Sequence, residues 1–191
     1  YYQRMLSECT GMERLVGDLL LLSKMQNPDF LVEKEPVTLQ QVFHDLRRTA
    51  GVLADEKNIE IVVKQPEAPC VMMADYVRLR QMFVVIVDNA IKYGYTGSNI
   101  NILVETEKSG IIEFNKDAIR SIKISISSYG DAIPQNERYR LNELFYRAKT
   151  SKHQEGMGIG LFLVERICDS LGYKIEYETS ESRSISVFCI P

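Results

Sequence analysis

The feature that most constrains this chain is the stretch from Val77 to Tyr93, which is apolar on nearly every face of a helix. A helix of this kind must lie buried at the centre of a domain, and Asp75 just before it is a suitable N-cap. Three polar residues nevertheless occur near its end: Asp88, Asn89 and Lys92. Because a buried polar group needs a partner, these side chains are the first candidates for a functional site.

A second constraining stretch is Glu155-Gly156-Met157-Gly158-Ile159-Gly160-Leu161, in which three glycines at alternate positions lead into a helix ending at Gly172. Glycine lets the backbone approach a ligand closely, and a helix N-terminus attracts anions, so this junction is a candidate phosphate site. A glycine-rich turn that lets the helix pack against its neighbour is an equal alternative. The run matches neither the P-loop nor the dinucleotide-binding pattern.

The composition narrows the class of protein. A chain of 191 residues, 45% hydrophobic and 26% charged, suits one globular domain with an appendage. The net charge of -3 gives no case for nucleic-acid binding. The four cysteines form no C-x-x-C pair, which argues against a zinc site or a disulfide framework. The longest apolar run, Met82 to Val87, is far shorter than the roughly 20 residues of a membrane span.

The first residue is Tyr1 rather than an initiating Met, so we expect a cytoplasmic segment of a longer protein, with any membrane tether outside it. Residues 1 to about 26 are predicted to form one long helix with a heptad seam of Met5, Cys9, Met12, Val16 and Leu19. The period favours a helical bundle over a helix lying on its own domain. We therefore predict a bundle helix at 1–28, a linker at 29–36 and a compact domain at 37–191.

The compact domain reads as alternating helices and strands. A capping box at Thr38 predicts a helix to about Glu56. The other expected elements are a strand at Ile59–Lys64 paired with Cys70–Met73, a hairpin of Ile100–Thr106 and Ile111–Phe114, a strand around Ile122–Ile126, a helix at Pro134–Ala148, and a closing pair of Lys174–Thr179 and Ile185–Ile190. This order predicts an α/β (α+β) two-layer sandwich, with a mixed sheet packed against three helices.

Several stretches together resemble a known family. Asp88-Asn89-Ala90-Ile91-Lys92-Tyr93 is similar to the N box, Phe145-Tyr146-Arg147-Ala148 to the F box, and Gly156 to Leu161 to the second glycine box of bacterial sensor histidine kinases, members of the Bergerat (GHKL) ATPase superfamily. Leu15 to Ser23 resembles part of the second helix of their dimerisation and phosphotransfer bundle. The resemblance covers essentially the whole chain in the right order.

The resemblance implies a kinase portion that binds Mg-ATP and passes the γ-phosphoryl group to a histidine. Asn89 would ligate Mg²⁺, although a buried amide paired with backbone is the alternative. Lys92 and Arg147 would add positive charge near the phosphates, with a surface salt bridge an equal alternative for Arg147. The remaining nucleotide-binding residues would be Tyr93, Ser128, Gly130, Asp131, Gly156, Met157, Gly158, Gly160 and Leu161. Lys149 to Glu155 would form a mobile lid.

Three positions depart from the family pattern. The first glycine box usually reads D-x-G-x-G, and this chain has Ser128 for the adenine-reading Asp and Ala132 for the second Gly. A serine still accepts a hydrogen bond but lacks the charge. Where many members carry Asn or Glu one turn before the N-box Asn, this chain has Val85. These departures keep open a second reading, a pseudokinase or scaffold that binds nucleotide weakly or not at all.

The resemblance also implies partners. We expect a homodimer through residues 1–26, a response regulator receiver domain as phosphoryl acceptor, and no nucleic acid. His44 lies after the bundle helix and is read as an ordinary helix residue, and His153 lies in the presumed lid. The phosphoacceptor histidine is therefore expected upstream of Tyr1. Another superfamily ATPase, of chaperone or mismatch-repair type, fits poorly because such proteins lack this heptad helix.

Overall fold

A computed structural model describes residues 2–27, 31–108, 119–149, 156–179 and 183–189. The chain divides into two compact units, Tyr1–Val32 and Glu33–Pro191. The first unit contains helix α1 (Tyr2–Met25), as predicted. The side chains of its heptad seam are largely solvent-exposed, among them Met5 and Met12 at 65% and Val16 at 53%.

Among the described residues, the second unit contains two sheets and three further α-helices. Its elements are β1 (Glu35–Thr38), α2 (Leu39–Glu56), β2 (Glu60–Lys64), β3 (Val71–Ala74), α3 (Tyr76–Tyr93), β4 (Asn99–Lys108), β5 (Ile119–Ser128), a 3₁₀-helix (Gln135–Arg140), α4 (Gly160–Leu171), β6 (Lys174–Thr179) and β7 (Arg183–Cys189). The larger sheet has the order β2-β4-β5-β7-β6. Because β2 pairs with β4 in parallel and the other neighbours are antiparallel, the sheet is mixed.

The core lies between this sheet and the helices. Alternate residues of β4 and β5 are buried, namely Ile100, Ile102, Val104, Ile122, Ile124 and Ile126, as expected for a sheet covered on one face. Helix α3 is central, since Leu79, Met82, Phe83 and Val87 are all fully buried. The predicted two-layer sandwich is therefore confirmed.

The caps of α3 and α4 lie where the sequence places them. The carboxylate of Asp75 accepts a hydrogen bond from the backbone N–H of Arg78 at 3.1 Å, which satisfies one of the free donors of the first turn. Gly172 ends α4 in the left-handed conformation, with φ of 78°, a geometry that glycine adopts without steric cost.

Strand pairing differs from the prediction. The strand at Val71–Ala74 pairs antiparallel with β1, not with β2, and Val37 faces Met72 across this small sheet. Strand β2 pairs instead with β4, in parallel. An alternating pattern identifies a strand but not its partner, and a parallel pair requires the long crossover that β3 and α3 supply here.

Two predictions about local structure were wrong. Thr38 is the N-cap of α2, but its side chain makes no capping hydrogen bond. The backbone N–H of Leu39, the first residue of α2, donates to the Cys70 carbonyl at 2.9 Å, because β1 and β3 meet at this point. The residues from Pro134 to Ala148 do not form an α-helix, because the 3₁₀-helix ends at Arg140 and is followed by turns.

The predicted hairpin after β4 is only partly testable. Strand β4 pairs antiparallel with β5, from Ile100 opposite Ser128 to Lys108 opposite Ile119. The strand predicted at Ile111–Phe114 lies outside the described residues. The closing antiparallel pair, β6 with β7, is confirmed.

Candidate functional site

The site is built where the first turn of α4 meets α3. A Cβ placed on Gly160 would lie 3.0 Å from Val85 Cγ1, 3.4 Å from Asn89 Nδ2 and 3.9 Å from Asn89 Oδ1. Glycine at this position therefore allows the start of α4 to approach the polar part of α3 closely. Ile159 is the N-cap residue and its side chain makes no capping hydrogen bond, so the first N–H groups of α4 are not capped from that position.

The start of the glycine run lies against a cation. Gly156 has φ of 141°, and a Cβ on it would collide with the ammonium nitrogen of Lys92. The same ammonium nitrogen is 5.3 Å from the centroid of the Tyr93 ring. Two candidates from the N box, Lys92 and Asn89, are thus brought to opposite ends of the glycine run. The geometry brings the N box and the glycine run next to each other, and their predicted binding roles stay predictions.

The end of α3 is held by a lysine that sequence reasoning missed. The ammonium group of Lys57 donates to the carbonyls of Ile91 at 3.0 Å and Lys92 at 2.8 Å. A cation at a helix C-terminus satisfies free carbonyls and interacts favourably with the helix dipole. Lys57 therefore fixes the turn that carries Lys92. No local pattern in the sequence links Lys57 with residues more than thirty positions away.

The middle of the glycine run is interlocked with the F-box segment. Gly158 has φ of 73°, and a Cβ on it would collide with the Tyr146 carbonyl oxygen and lie 2.8 Å from the Phe145 carbonyl carbon. The backbone N–H of Phe145 donates to the Gly158 carbonyl at 3.0 Å. Phe145 itself has φ of 65°, an uncommon conformation for a bulky residue that the surrounding contacts must maintain.

A buried carboxylate braces the F-box segment. Glu137, in the 3₁₀-helix, accepts hydrogen bonds from the Tyr146 hydroxyl at 3.0 Å and from the backbone N–H of Lys149 at 2.9 Å. The Lys149 N–H is the main cause that holds the pKa of Glu137 below its ordinary value, and the Tyr146 hydroxyl acts in the same direction. Sequence reasoning missed this residue because its partners lie in an irregular segment.

The residues directly after α3 contact the segment that contains the predicted nucleotide-binding residues Ser128, Gly130 and Asp131. Gly94 forms an isolated antiparallel bridge with Gly130, and the backbone N–H of Tyr95 donates to the Tyr129 carbonyl at 2.9 Å. These contacts join the end of α3 to the end of β5, where Ser128 is buried at 4% exposure. The exposed Asp131 carboxylate accepts a hydrogen bond from the Tyr95 hydroxyl at 2.9 Å.

The other predicted site residues lie in varied surroundings. Arg147 and Leu161 are half-buried, Met157 is 56% exposed, and Ala132 is exposed. Val85 is buried and packs against Gly160. His44 lies on α2 and is solvent-exposed, and His153 lies outside the described residues together with 150–155 of the presumed lid.

The side chains near the start of α4 offer few ligands for a magnesium ion. In the described ranges no three His, Cys, Asp or Glu side chains gather into a metal-binding group. Asn89 is half-buried and offers one amide oxygen beside the start of α4. Mg²⁺ keeps several waters and takes few protein ligands, the rest of its shell coming from substrate phosphates. A single amide oxygen beside a candidate phosphate site is compatible with that mode of binding.

Comparison with known proteins agrees with the fold. The family model described as histidine kinase-, DNA gyrase B-, and HSP90-like ATPase matches residues 74–191. This match covers more than half of the chain, and the chain belongs to this family. Within this family, the domain is similar to the ATP-binding catalytic domains of sensor histidine kinases, and the curated relatives described below are named as sensory kinases.

Two relatives show the extent of the similarity. The chain is 28% identical over 156 residues to the adaptive-response sensory kinase SasA of Crocosphaera subtropica, a match that covers 82% of this chain and 38% of SasA. It is 25% identical over 172 residues to the signal transduction histidine-protein kinase BarA of Escherichia coli K12, covering 88% of this chain and 18% of BarA. The chain thus spans less than two fifths of these relatives.

Solved structures share the fold. The histidine kinase AdeS of Acinetobacter baumannii superposes with a TM-score of 0.76 at 19% identity, covering 99% of this chain and 83% of AdeS. Full-length ShkA in complex with AMPPNP gives a TM-score of 0.75 at 22% identity, covering 98% of this chain and 38% of ShkA.

None of the helices in the part of the chain that the structure describes has the length and hydropathy needed to cross a bilayer.

Proposed function

We propose that this chain is the cytoplasmic kinase portion of a two-component sensor histidine kinase, which binds Mg-ATP and transfers the γ-phosphoryl group to a histidine outside the segment. The observation that carries the proposal is the placement of two α3 side chains at the glycine run, Asn89 beside Gly160 and Lys92 beside Gly156. A neutral oxygen ligand, a cation and a helix N-terminus in one place suit a polyphosphate with its metal ion.

Each residue has a distinct role in this proposal. The backbone N–H groups around Gly158 and Gly160 bind phosphate oxygens, aided by the positive end of the α4 dipole. Asn89 holds the metal ion, which when bound neutralises charge on the phosphates. The Lys92 ammonium adds charge where the glycine run begins. Arg147 adds positive charge near the phosphates. The remaining residues that line the nucleotide site are Tyr93, Ser128, Gly130, Asp131, Met157 and Leu161.

The partners follow from the same proposal. Residues 1–28 belong to the dimerisation bundle, and the exposed seam of Met5, Met12 and Val16 is the surface that a second copy would cover, because a heptad seam is stable only against a partner helix. Residues 29–36 connect the bundle to the catalytic domain at 37–191, and the last two of them already pair with β3 as the start of β1. A response regulator receiver domain accepts the phosphoryl group in turn.

A second candidate is a pseudokinase or scaffold, and a specific observation favours it. Val85 is buried and occupies, by packing on Gly160, the α3 position one turn before Asn89. An isopropyl group can neither ligate a metal ion nor move a proton. Ser128, in place of the adenine-reading Asp, likewise offers the adenine no negative charge. A poorly matched buried hydrogen bond to the adenine would cost about 1–3 kcal/mol.

Calorimetric titration of the 191-residue chain with a non-hydrolysable ATP analogue separates the two candidates. The kinase proposal expects saturable binding that weakens when EDTA removes Mg²⁺, and that weakens further in Asn89→Ala. Absence of heat at millimolar nucleotide contradicts it and favours the scaffold. Phosphotransfer is then measured on a longer chain that includes the upstream helix, with γ-labelled ATP and acid-labile label on histidine as the readout.

A further inference from the structure

Glu137 is a buried carboxylate that the proposed chemistry does not use. It is 6% exposed, and one oxygen atom, Oε2, accepts both the Tyr146 hydroxyl at 3.0 Å and the Lys149 backbone N–H at 2.9 Å. The donors lie nine and twelve residues further along the chain, in a segment without regular structure. A buried carboxylate is costly unless hydrogen bonds compensate for the lost water, so these two bonds hold the segment firmly.

The segment that Glu137 holds includes residues predicted to contact phosphate. Arg147 lies between the two donor residues in sequence, and the lid is predicted to begin at Lys149. Tyr146 also places its carbonyl against Gly158, which excludes any side chain there. A third contact supports the same ring, since the guanidinium of Arg140 lies 4.2 Å from the Tyr146 centroid. Glu137 is thus connected through Tyr146 to the middle of the glycine run.

We propose that Glu137 is a positioning residue for nucleotide binding, which fixes the backbone of 146–149 so that Arg147 and the glycine run face the same phosphates. The proposal rests on the proposed function, because it assigns Glu137 a role in binding Mg-ATP. Glu137 itself does not touch the nucleotide and acts only through the two donors that it binds. In this role the carboxylate can therefore be replaced by a neutral side chain of the same shape that also accepts the two hydrogen bonds.

Three substitutions test whether Glu137 acts only as a hydrogen-bond acceptor. Glu137→Gln keeps a carbonyl oxygen that can accept both hydrogen bonds, whereas Glu137→Ala removes the acceptor and Tyr146→Phe removes one donor but keeps the ring under Arg140. We expect the dissociation constant for Mg-ATP to rise about tenfold in Glu137→Ala, a fewfold in Tyr146→Phe and less than about twofold in Glu137→Gln. Equal loss of affinity in Glu137→Gln and Glu137→Ala would overturn the proposal.

A double-mutant cycle with Arg147→Ala tests whether Glu137 affects nucleotide affinity by positioning Arg147. If Glu137 acts by placing Arg147, the loss in Glu137→Ala is largely absent when Arg147 is already removed, whereas independent effects multiply. Multiplicative losses contradict the positioning role. Two matched controls are the exposed neighbour Asn136→Ala and the exposed carboxylate Glu67→Gln, which are expected to bind nucleotide as the wild type does.

Hydrogen exchange without nucleotide tests the bracing itself. The Lys149 amide is expected to exchange at least about tenfold faster in Glu137→Ala than in the wild type or Glu137→Gln. Unchanged exchange would overturn the proposal even if nucleotide affinity fell. Because this readout needs no ATP, failure of the bracing is distinguished from failure of the proposed function, which shows as absent nucleotide binding in the wild type. Exchange also reports locally where Glu137→Ala lowers the overall stability.

Discussion

Gly160 faces Asn89 at the junction of α4 and α3, since a Cβ built on Gly160 would lie 3.4 Å from the amide nitrogen of Asn89. This close approach joins the first residue of α4 to a polar side chain of α3 that is 71 positions earlier in the chain. It shows that the two stretches singled out in the sequence, the apolar helix and the glycine run, form one structural unit.

The close approach predicts a sharp effect of Gly160→Ala. The added methyl group would lie 3.0 Å from Val85 Cγ1, so we expect a loss of about 1–3 kcal/mol in unfolding free energy from overpacking, together with weaker binding of the ATP analogue. Chemical denaturation and calorimetry measure the two effects. Adding Val85→Ala should recover part of the stability, because it makes room for the methyl group, and purely additive losses would contradict this account.

Gly51 provides the matched control for that substitution. It lies within α2 with no atom within 4 Å of an added Cβ. Gly51→Ala is therefore expected to raise the unfolding free energy by about 0.5–1 kcal/mol, without changing nucleotide affinity. A loss of stability would show that α2 is more crowded at this position than the structure indicates.

Gly158 and Gly172 form a second informative pair. Both have positive φ, 73° and 78°, but only Gly158 has neighbours that an added Cβ would strike. We expect Gly172→Ala to cost about 1–2 kcal/mol from the backbone conformation alone. Gly158→Ala should cost clearly more and also weaken nucleotide binding, as it separates the glycine run from Tyr146. Equal costs in thermal denaturation would rule out the interlocking at Gly158.

Lys57→Met tests the cap on α3. Methionine keeps most of the aliphatic chain but removes the ammonium group that donates to Ile91 and Lys92. We expect a loss of about 1–2 kcal/mol in unfolding free energy and faster amide exchange near the end of α3. Lys64→Met, at an exposed position of β2, is the control, and a comparable loss there would mean that the cap contributes nothing specific.

Ser128→Asp tests whether residue 128 contacts the adenine base. If Ser128 faces the nucleobase, a carboxylate there should tighten ATP binding by about tenfold. Because Ser128 is 4% exposed, the same carboxylate should lower the melting temperature of the nucleotide-free protein. The control is Ser127→Asp, whose side chain points to the other face of β5. Unchanged affinity in Ser128→Asp would place the nucleobase contact elsewhere.

The lowered pKa of Glu137 predicts an acid-dependent effect. A carboxylate whose pKa is depressed in the folded state adds stability that is fully present above its ordinary value of 4.5 and is lost as the pH falls through the lower folded-state value. The stability advantage of the wild type over Glu137→Gln should therefore shrink below about pH 4.5. Urea denaturation at several pH values from 7 to 3 measures it. A constant difference would show that the Glu137 charge is not linked to folding.

Much of the local structure could be predicted because it depends on neighbours in the chain. Asp75 and Gly172 are capping residues by their own chemistry, and the alternating isoleucines of β4 and β5 require one buried face. The helix predicted at Pro134–Ala148 is wrong, because only a 3₁₀-helix forms there, from Gln135 to Arg140. In the structure this segment is held instead by Glu137, whose donors are nine and twelve residues away.

The sequence by itself determined where α1 to α4 lie, which of them is central, and which residue types are available to bind a phosphate and a metal ion. Only the tertiary structure decided that β3 pairs with β1, that Lys57 caps α3, and that Gly160 lies on Asn89. Burial patterns, the N-cap at Asp75 and the C-cap at Gly172 are set by residues within one or two turns of each other. Contacts between distant segments depend instead on how whole elements pack, which no local pattern specifies.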